Sequence, residues 1–180
     1  MENASKALIM AASILLGVMI ISVGVALFQT FSNFSKTTLN KVEETKIAEW
    51  NNAYLKYYGT MLVGKEGEEI AMPIQVTAHD IITVLNQAKQ NNIDYFEEDW
   101  NNLALKKDEN TYYVQIDIKI TSGKTERCAE KWTEEQKNKF LKEHLLNENN
   151  ETFYFKCTKY ETSKTTKRVN YMLFEIYDKY

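Results

Sequence analysis

The feature that most constrains this chain is a stretch without a charge: Ala7 to Phe28 reads ALIMAASILLGVMIISVGVALF. As an α-helix rising about 1.5 Å per residue, this run extends about 33 Å, which matches a hydrocarbon core about 30 Å thick. A helix that long in a soluble core carries a polar stripe, whereas this one is apolar on every face. A cleavable signal peptide has an apolar region of about 7 to 15 residues that ends in a small-x-small site. Here the run is longer and passes through Val25, Ala26, Leu27 and Phe28 into further aromatic residues. Residues 1–28 are therefore expected to be a transmembrane anchor, with the lipid bilayer as partner. Gly17 and Gly24 lie seven positions apart, on one helix face, where small residues let another helix approach closely. They are the expected helix-packing face.

Beyond Phe28 neither proline nor glycine interrupts the pattern until Gly59. Phe28, Phe31 and Phe34 recur every third residue, where aromatic rings favour the membrane–water boundary. Leu39, Val42, Ile47, Trp50, Tyr54 and Tyr57 follow at spacings of three to five, a stripe of helical period. Residues 29–59 thus read as an amphipathic stalk helix closed by Gly59 as a C-terminal cap. Its stripe packs either on the chain's own head or on other copies. Ser32 to Asn40 is rich in Ser, Thr and Asn, which are poor helix formers, and is where a bend or break would fall.

The remaining 60–180 is long enough for one modest core. TMLVGKEGEEIAMPIQV holds two apolar runs around a Gly-Lys-Glu-Gly centre, which predicts a hairpin or loop with short edge strands and Pro73 near an end. Thr77 and Asp80 have capping-box spacing ahead of an apolar face of Ile81, Val84, Leu85 and Ala88, so a helix is expected to near Asn91 and Asn92. TYYVQIDIKI alternates strictly over 111–120 and reads as a strand ended by Ser122 and Gly123. A charged helix is expected over 133–147, capped by Thr133 with Gln136 and burying Phe140, Leu141, His144 and Leu145. ETFYFKCTKY and RVNYMLFEIY, separated by ETSKTTK, predict a closing antiparallel hairpin. The fold class is α+β: a long N-terminal helix, transmembrane then amphipathic, with a small antiparallel-sheet head.

Chemistry is harder to find. The net charge of −3 is spread over a Lys-Glu-Asn-rich surface without a basic block, so no nucleic-acid partner is expected. Cys128 and Cys157 form no C-x-x-C pair, and with His79 and His144 they have none of the usual close zinc spacings. A disulfide between them is one option, worth about 3 to 4 kcal/mol and requiring an oxidising compartment; two buried thiols are the other. His79 beside Asp80 does not orient an imidazole as a triad does, and both histidines read as structural. Glu97, Glu98 and Asp99 lack the alternating ligands of a calcium loop and read as a solvated turn. Asn-x-Ser/Thr triplets at Asn3, Asn33 and Asn150 are short enough to arise by chance. Trp50 and Trp100 read as core rather than as a binding platform. No catalytic, metal or cofactor site is expected.

A long N-terminal helix, apolar then amphipathic, followed by a small α+β head with a C-terminal cysteine loop resembles the layout of type IV pilin-like proteins. That resemblance implies a surface or secretion-system subunit whose partners are other copies of itself or a pilus assembly. MENASKALIMAASIL, AEWNNAYLKYYG and TAHDIITVLNQAKQNN also resemble a group of uncharacterised small membrane-anchored proteins of Gram-positive gut bacteria. This second likeness covers about the first 92 residues and implies the same anchor. Lys6 on the short side of the span, against Lys36 and Lys41 on the long side, leans towards a cytoplasmic head. The pilin-like layout and the disulfide option argue for an extracellular one. The expectation is a non-enzymatic, single-pass surface subunit with its head outside, and the alternative is a membrane-tethered ligand- or peptide-binding sensor module.

Overall fold

Helix α1 (Glu2–Leu55) opens the chain and runs through the Ser-Thr-Asn-rich stretch without a break. The computed structural model describes residues 2–64, 69–97, 100, 112–121, 124–146 and 152–177. Three threonine hydroxyls of α1 find their partners within the helix itself. Thr30, Thr37 and Thr45 each donate to the carbonyl four residues back, at 2.9, 3.0 and 2.9 Å. The helix stops at Leu55, four residues short of Gly59. Gly59, at φ 128°, then turns the chain into the first strand, a conformation that L side chains rarely adopt.

By contacts the chain divides into two compact units, Met1–Lys46 and Ile47–Tyr180, so the last turns of α1 belong to the head. After α1 come β1 (Thr60–Val63), β2 (Ile70–Pro73), β3 (Val76–Thr77), α2 (Ala78–Phe96), β4 (Gln115–Thr121) and β5 (Lys124–Glu126). A 3-10 turn at Ala129–Lys131, α3 (Glu134–His144), β6 (Tyr154–Thr162) and β7 (Val169–Ile176) complete it. β1 and β2 form the expected hairpin, antiparallel, with Thr60 opposite Pro73 and Val63 opposite Ile70.

The other strands form one sheet in the order β3-β6-β7-β4-β5. β6 and β7 are the expected antiparallel hairpin, but the sheet is antiparallel only in part: β4 pairs with β7 in parallel, Gln115 opposite Tyr171 and Lys119 opposite Glu175. The physical reason is the route between them. After the β4–β5 hairpin the chain passes through the 3-10 turn and α3 before entering β6, and β7 then fills the place beside β4 in β4's own direction. Such a crossover is what a parallel neighbour requires.

Both helix starts carry the capping boxes expected. Thr77 and Asp80 exchange side-chain-to-backbone bonds of 3.0 and 3.2 Å, and Thr133 and Gln136 bonds of 2.9 and 3.3 Å. The helix ends differ from expectation. α2 continues past Asn91 and Asn92, and α3 ends at His144 with Lys137, Phe140 and His144 as its buried positions. Leu145, expected in that face, is 46 % exposed as the C-cap, one position past the last buried residue, His144. The core joins Ile81, Val84, Leu85 and Ala88 of α2 to Ile116, Ile118, Phe155 and Phe174 of the sheet and to Val114 just ahead of β4. Tyr54 and Tyr57 pack into the same cluster, with Trp50 at its margin.

Candidate functional site

The N-terminal unit presents a surface that water does not tolerate. Tyr54 is the sole buried residue of α1, and the apolar side chains of 7–28 all lie open, Leu15 at 74 % and Phe28 at 75 %. The only hydroxyls in that run are spent internally: Ser13 Oγ donates to Ile9 O and Ser22 Oγ to Val18 O, both at 2.8 Å. No polar group of the span is therefore left to be satisfied by the surroundings, which is what a hydrocarbon environment demands. By length and composition α1 is a candidate membrane anchor. A Cβ placed on Gly17 or Gly24 meets nothing within 4 Å, so this face has room for a neighbouring helix.

In the head, one polar layer occupies the sheet face opposite the core. Asp117 Oδ1 accepts from Gln115 Nε2 at 2.9 Å and from the Cys128 backbone N–H at 3.0 Å, while Oδ2 accepts from Tyr171 Oη at 3.1 Å. Beside it Glu130, with no exposed surface, accepts from Tyr113 Oη at 2.7 Å and from the Ile116 N–H at 2.9 Å. Burial raises the Glu130 carboxyl above the ordinary carboxylate range, partly offset by those two bonds. Burial, and then the charge of Glu130, pushes Tyr113 up; burial, and then Asp117, does the same to Tyr171. Each carboxylate oxygen is engaged by a neighbour, and the layer braces β4 from within.

A second cluster clamps the end of α1. Asn51 gives its amide to Lys167 O at 3.0 Å and accepts from Val169 N at 2.8 Å, matching main chain as a strand would. Trp50 Nε1 donates to Val169 O at 3.1 Å, and the Arg168 guanidinium lies 3.8 Å from the Trp50 ring centre. Arg168 also donates to Tyr95 Oη at 3.0 Å and Asn91 Oδ1 at 3.3 Å, which ties α2 to the same joint. Sequence periodicity put Trp50 in the stripe that packs on the head or on other copies, and it packs, partly buried, against the head's core; nothing in the spacing pointed to Arg168 or Asn51. Tyr54 Oη is buried with no hydrogen-bond partner among the described residues, and burial raises its pKa.

The disulfide option is not realised: Cys128 and Cys157 are both free. Cys157 sits on β6 opposite Phe174 of β7, on the core face, whereas Cys128 is held by Asp117 of β4 on the other face. Burial pushes both thiols up to about 11, which leaves little reactive thiolate at neutral pH.

His79 is exposed on the first turn of α2. His144 is buried against Phe140, Phe153 and Phe155, its Nδ1–H donating to Phe140 O at 3.0 Å. The two are not brought together with either cysteine into a ligand set, and among the described residues no group of three or more His, Cys, Asp or Glu could hold a metal ion. Trp100 is buried. Glu98, Asp99 and Asn150 lie outside the described residues, while Asn3 and Asn33 are on α1. No family model, curated protein or solved structure matches the chain, so no site can be carried over from a relative.

Proposed function

We propose that this protein is a non-enzymatic, single-pass membrane-anchored subunit that displays its head at the membrane surface and assembles with other copies through α1. The observation that carries this reading is the exposed, uncharged apolar surface of 7–28 with its serine hydroxyls bonded internally. The open face at Gly17 and Gly24 supports helix–helix packing, and the engaged carboxylates of the head support a structural rather than catalytic role. An extracellular head belongs to the same reading and rests on the pilin-like layout alone, now that the cysteines stand as thiols. The lysine balance argues the other way.

Cross-linking of the full chain in gentle detergent tests the assembly: higher-order species are expected, weakened by Gly17→Leu with Gly24→Leu. A strictly monomeric protein contradicts it. Orientation is read by labelling intact cells with a membrane-impermeant maleimide after placing a cysteine at exposed Glu143 or Glu2. The reading expects label at the former and not at the latter.

A further inference from the structure

In the head, Lys119, Lys124, Lys137, Lys139 and Lys159 each pair with a glutamate. Arg168 does not: it is half-buried, and among the described residues no carboxylate meets its guanidinium. A guanidinium taken partly out of water ordinarily has an anion beside it, and its planar fork matches the oxygens of a carboxylate or a phosphate.

What surrounds Arg168 attracts its charge without neutralising it. The guanidinium carbon lies 3.8 Å from the Trp50 ring centre and 5.5 Å from those of Tyr95 and Tyr112, which stack on each other at 4.3 Å. Ring faces draw in a cation but carry no net charge. Of the five N–H donors of the group, one goes to Tyr95 Oη at 3.0 Å and one to Asn91 Oδ1 at 3.3 Å, both neutral oxygens. The other three have no protein acceptor among the described residues. Tyr95 is 48 % exposed and Tyr112 44 %, so this aromatic cage opens to solvent.

The arginine is also fixed in place before any ligand arrives. Asn51 grips the main chain on either side of it, at Lys167 O and Val169 N, and the Asn91 amide is anchored by its own bond to Tyr112 O at 2.7 Å. Such preorganisation lowers the cost of binding. The β6–β7 loop, residues 163–168, carries Lys164, Lys167 and Arg168 and no acidic residue. That local field favours a doubly charged anion over a singly charged one.

We propose that Arg168, in its cage of Trp50, Tyr95 and Tyr112, is a binding site for a phosphate group whose oxygens take the guanidinium donors that the protein leaves unspent. Free phosphate and a phosphomonoester lipid headgroup share this chemistry. The site goes beyond the anchored-subunit reading and does not depend on helix assembly.

The test follows the guanidinium Cζ NMR signals of the two arginines, Arg127 and Arg168, in the full chain at neutral pH. In one arm the protein sits in phosphatidylcholine nanodiscs, and sodium phosphate replaces chloride at constant ionic strength. In the other, the nanodiscs contain increasing phosphatidic acid and no phosphate is added. The Arg168 signal and the indole N–H of Trp50 are expected to shift saturably while exposed Arg127 stays unmoved. A shift in the first arm alone identifies free phosphate as the source, and one in the second a lipid headgroup. Acetate at equal ionic strength should bind more weakly than phosphate. Arg168→Lys keeps the charge but loses the fork, and the amides of residues 167–169 should then report binding at least about tenfold weaker. No saturable shift at Arg168 in either arm, equal shifts at Arg127, equal binding of acetate, or undiminished affinity in Arg168→Lys would overturn the proposal. The comparison of the two arginines needs no variant, so it decides the matter whether or not Arg168→Lys loosens the joint. None of these outcomes bears on assembly, which the cross-linking reads.

Discussion

Glu130 and Asn92 show how single side chains hold up the head. Glu130 is fully buried with a raised pKa, so its folded-state value lies above its unfolded one. Proton binding then favours the fold: the contribution is fully present below the unfolded carboxylate pKa and is lost as pH rises through the raised folded value. Glu130→Gln can still accept from the Ile116 N–H and donate to Tyr113 Oη. Urea unfolding should find it at least as stable as the parent at neutral pH, with a flatter pH dependence above about pH 4. Glu130→Ala removes the acceptor from both groups and is expected to cost about 2 to 3 kcal/mol. Asn92, fully buried, accepts from Val114 N at 2.8 Å and donates to Val114 O at 2.9 Å. Asn92→Ala is expected to cost about 2 to 4 kcal/mol in the same measurement, since it strands both main-chain groups.

At the scale of elements, the periodic and capped segments were legible in the chain and the segments held by distant partners were not. Thr77 with Asp80 and Thr133 with Gln136 announced both helix starts locally, and the apolar runs of β6 and β7 announced their hairpin. Thr77→Ala should lower stability by about 1 kcal/mol in thermal or urea melts, the usual worth of such a cap. By contrast, Asn91 and Asn92 look like helix terminators, yet α2 runs on to Phe96 because their amides bond the main chain at Tyr112 and Val114. The Lys-Thr-Glu of β5 has too short and too polar a pattern to read as a strand. It exists because it pairs with β4, Ile118 opposite Glu126. Parallel pairing of β4 with β7 was equally invisible, since strand direction depends on a crossover and not on the residues of either strand. The joint of Trp50, Asn51 and Arg168 is of the same kind, bringing together positions more than a hundred residues apart in sequence.

For the whole molecule, the apolar N-terminal helix was the most legible part because it depends on one continuous run of residues, while the boundary of the head depends on packing. A stalk over 29–59 would leave 60–180 as the head, whereas the contacts begin the head unit at Ile47. Tyr54, with no exposed surface, and Tyr57, at 8 %, are core residues of that unit. A fragment 47–180 is therefore expected to melt cooperatively, and a fragment 60–180 to be strongly destabilised or unfolded, as thermal circular dichroism would show. The functional claim lives at this same scale, because the buried carboxylates Glu130 and Asp117 are held by neighbours in the head and a continuous exposed apolar surface runs along 7–28. The most direct measurement is alkaline carbonate extraction of membranes from cells that express the full chain. The account predicts that the protein stays with the sedimented bilayer and is released only by detergent, and that Val18→Arg, mid-span, reduces that retention. Recovery of the intact, folded chain in the carbonate-soluble fraction would contradict it.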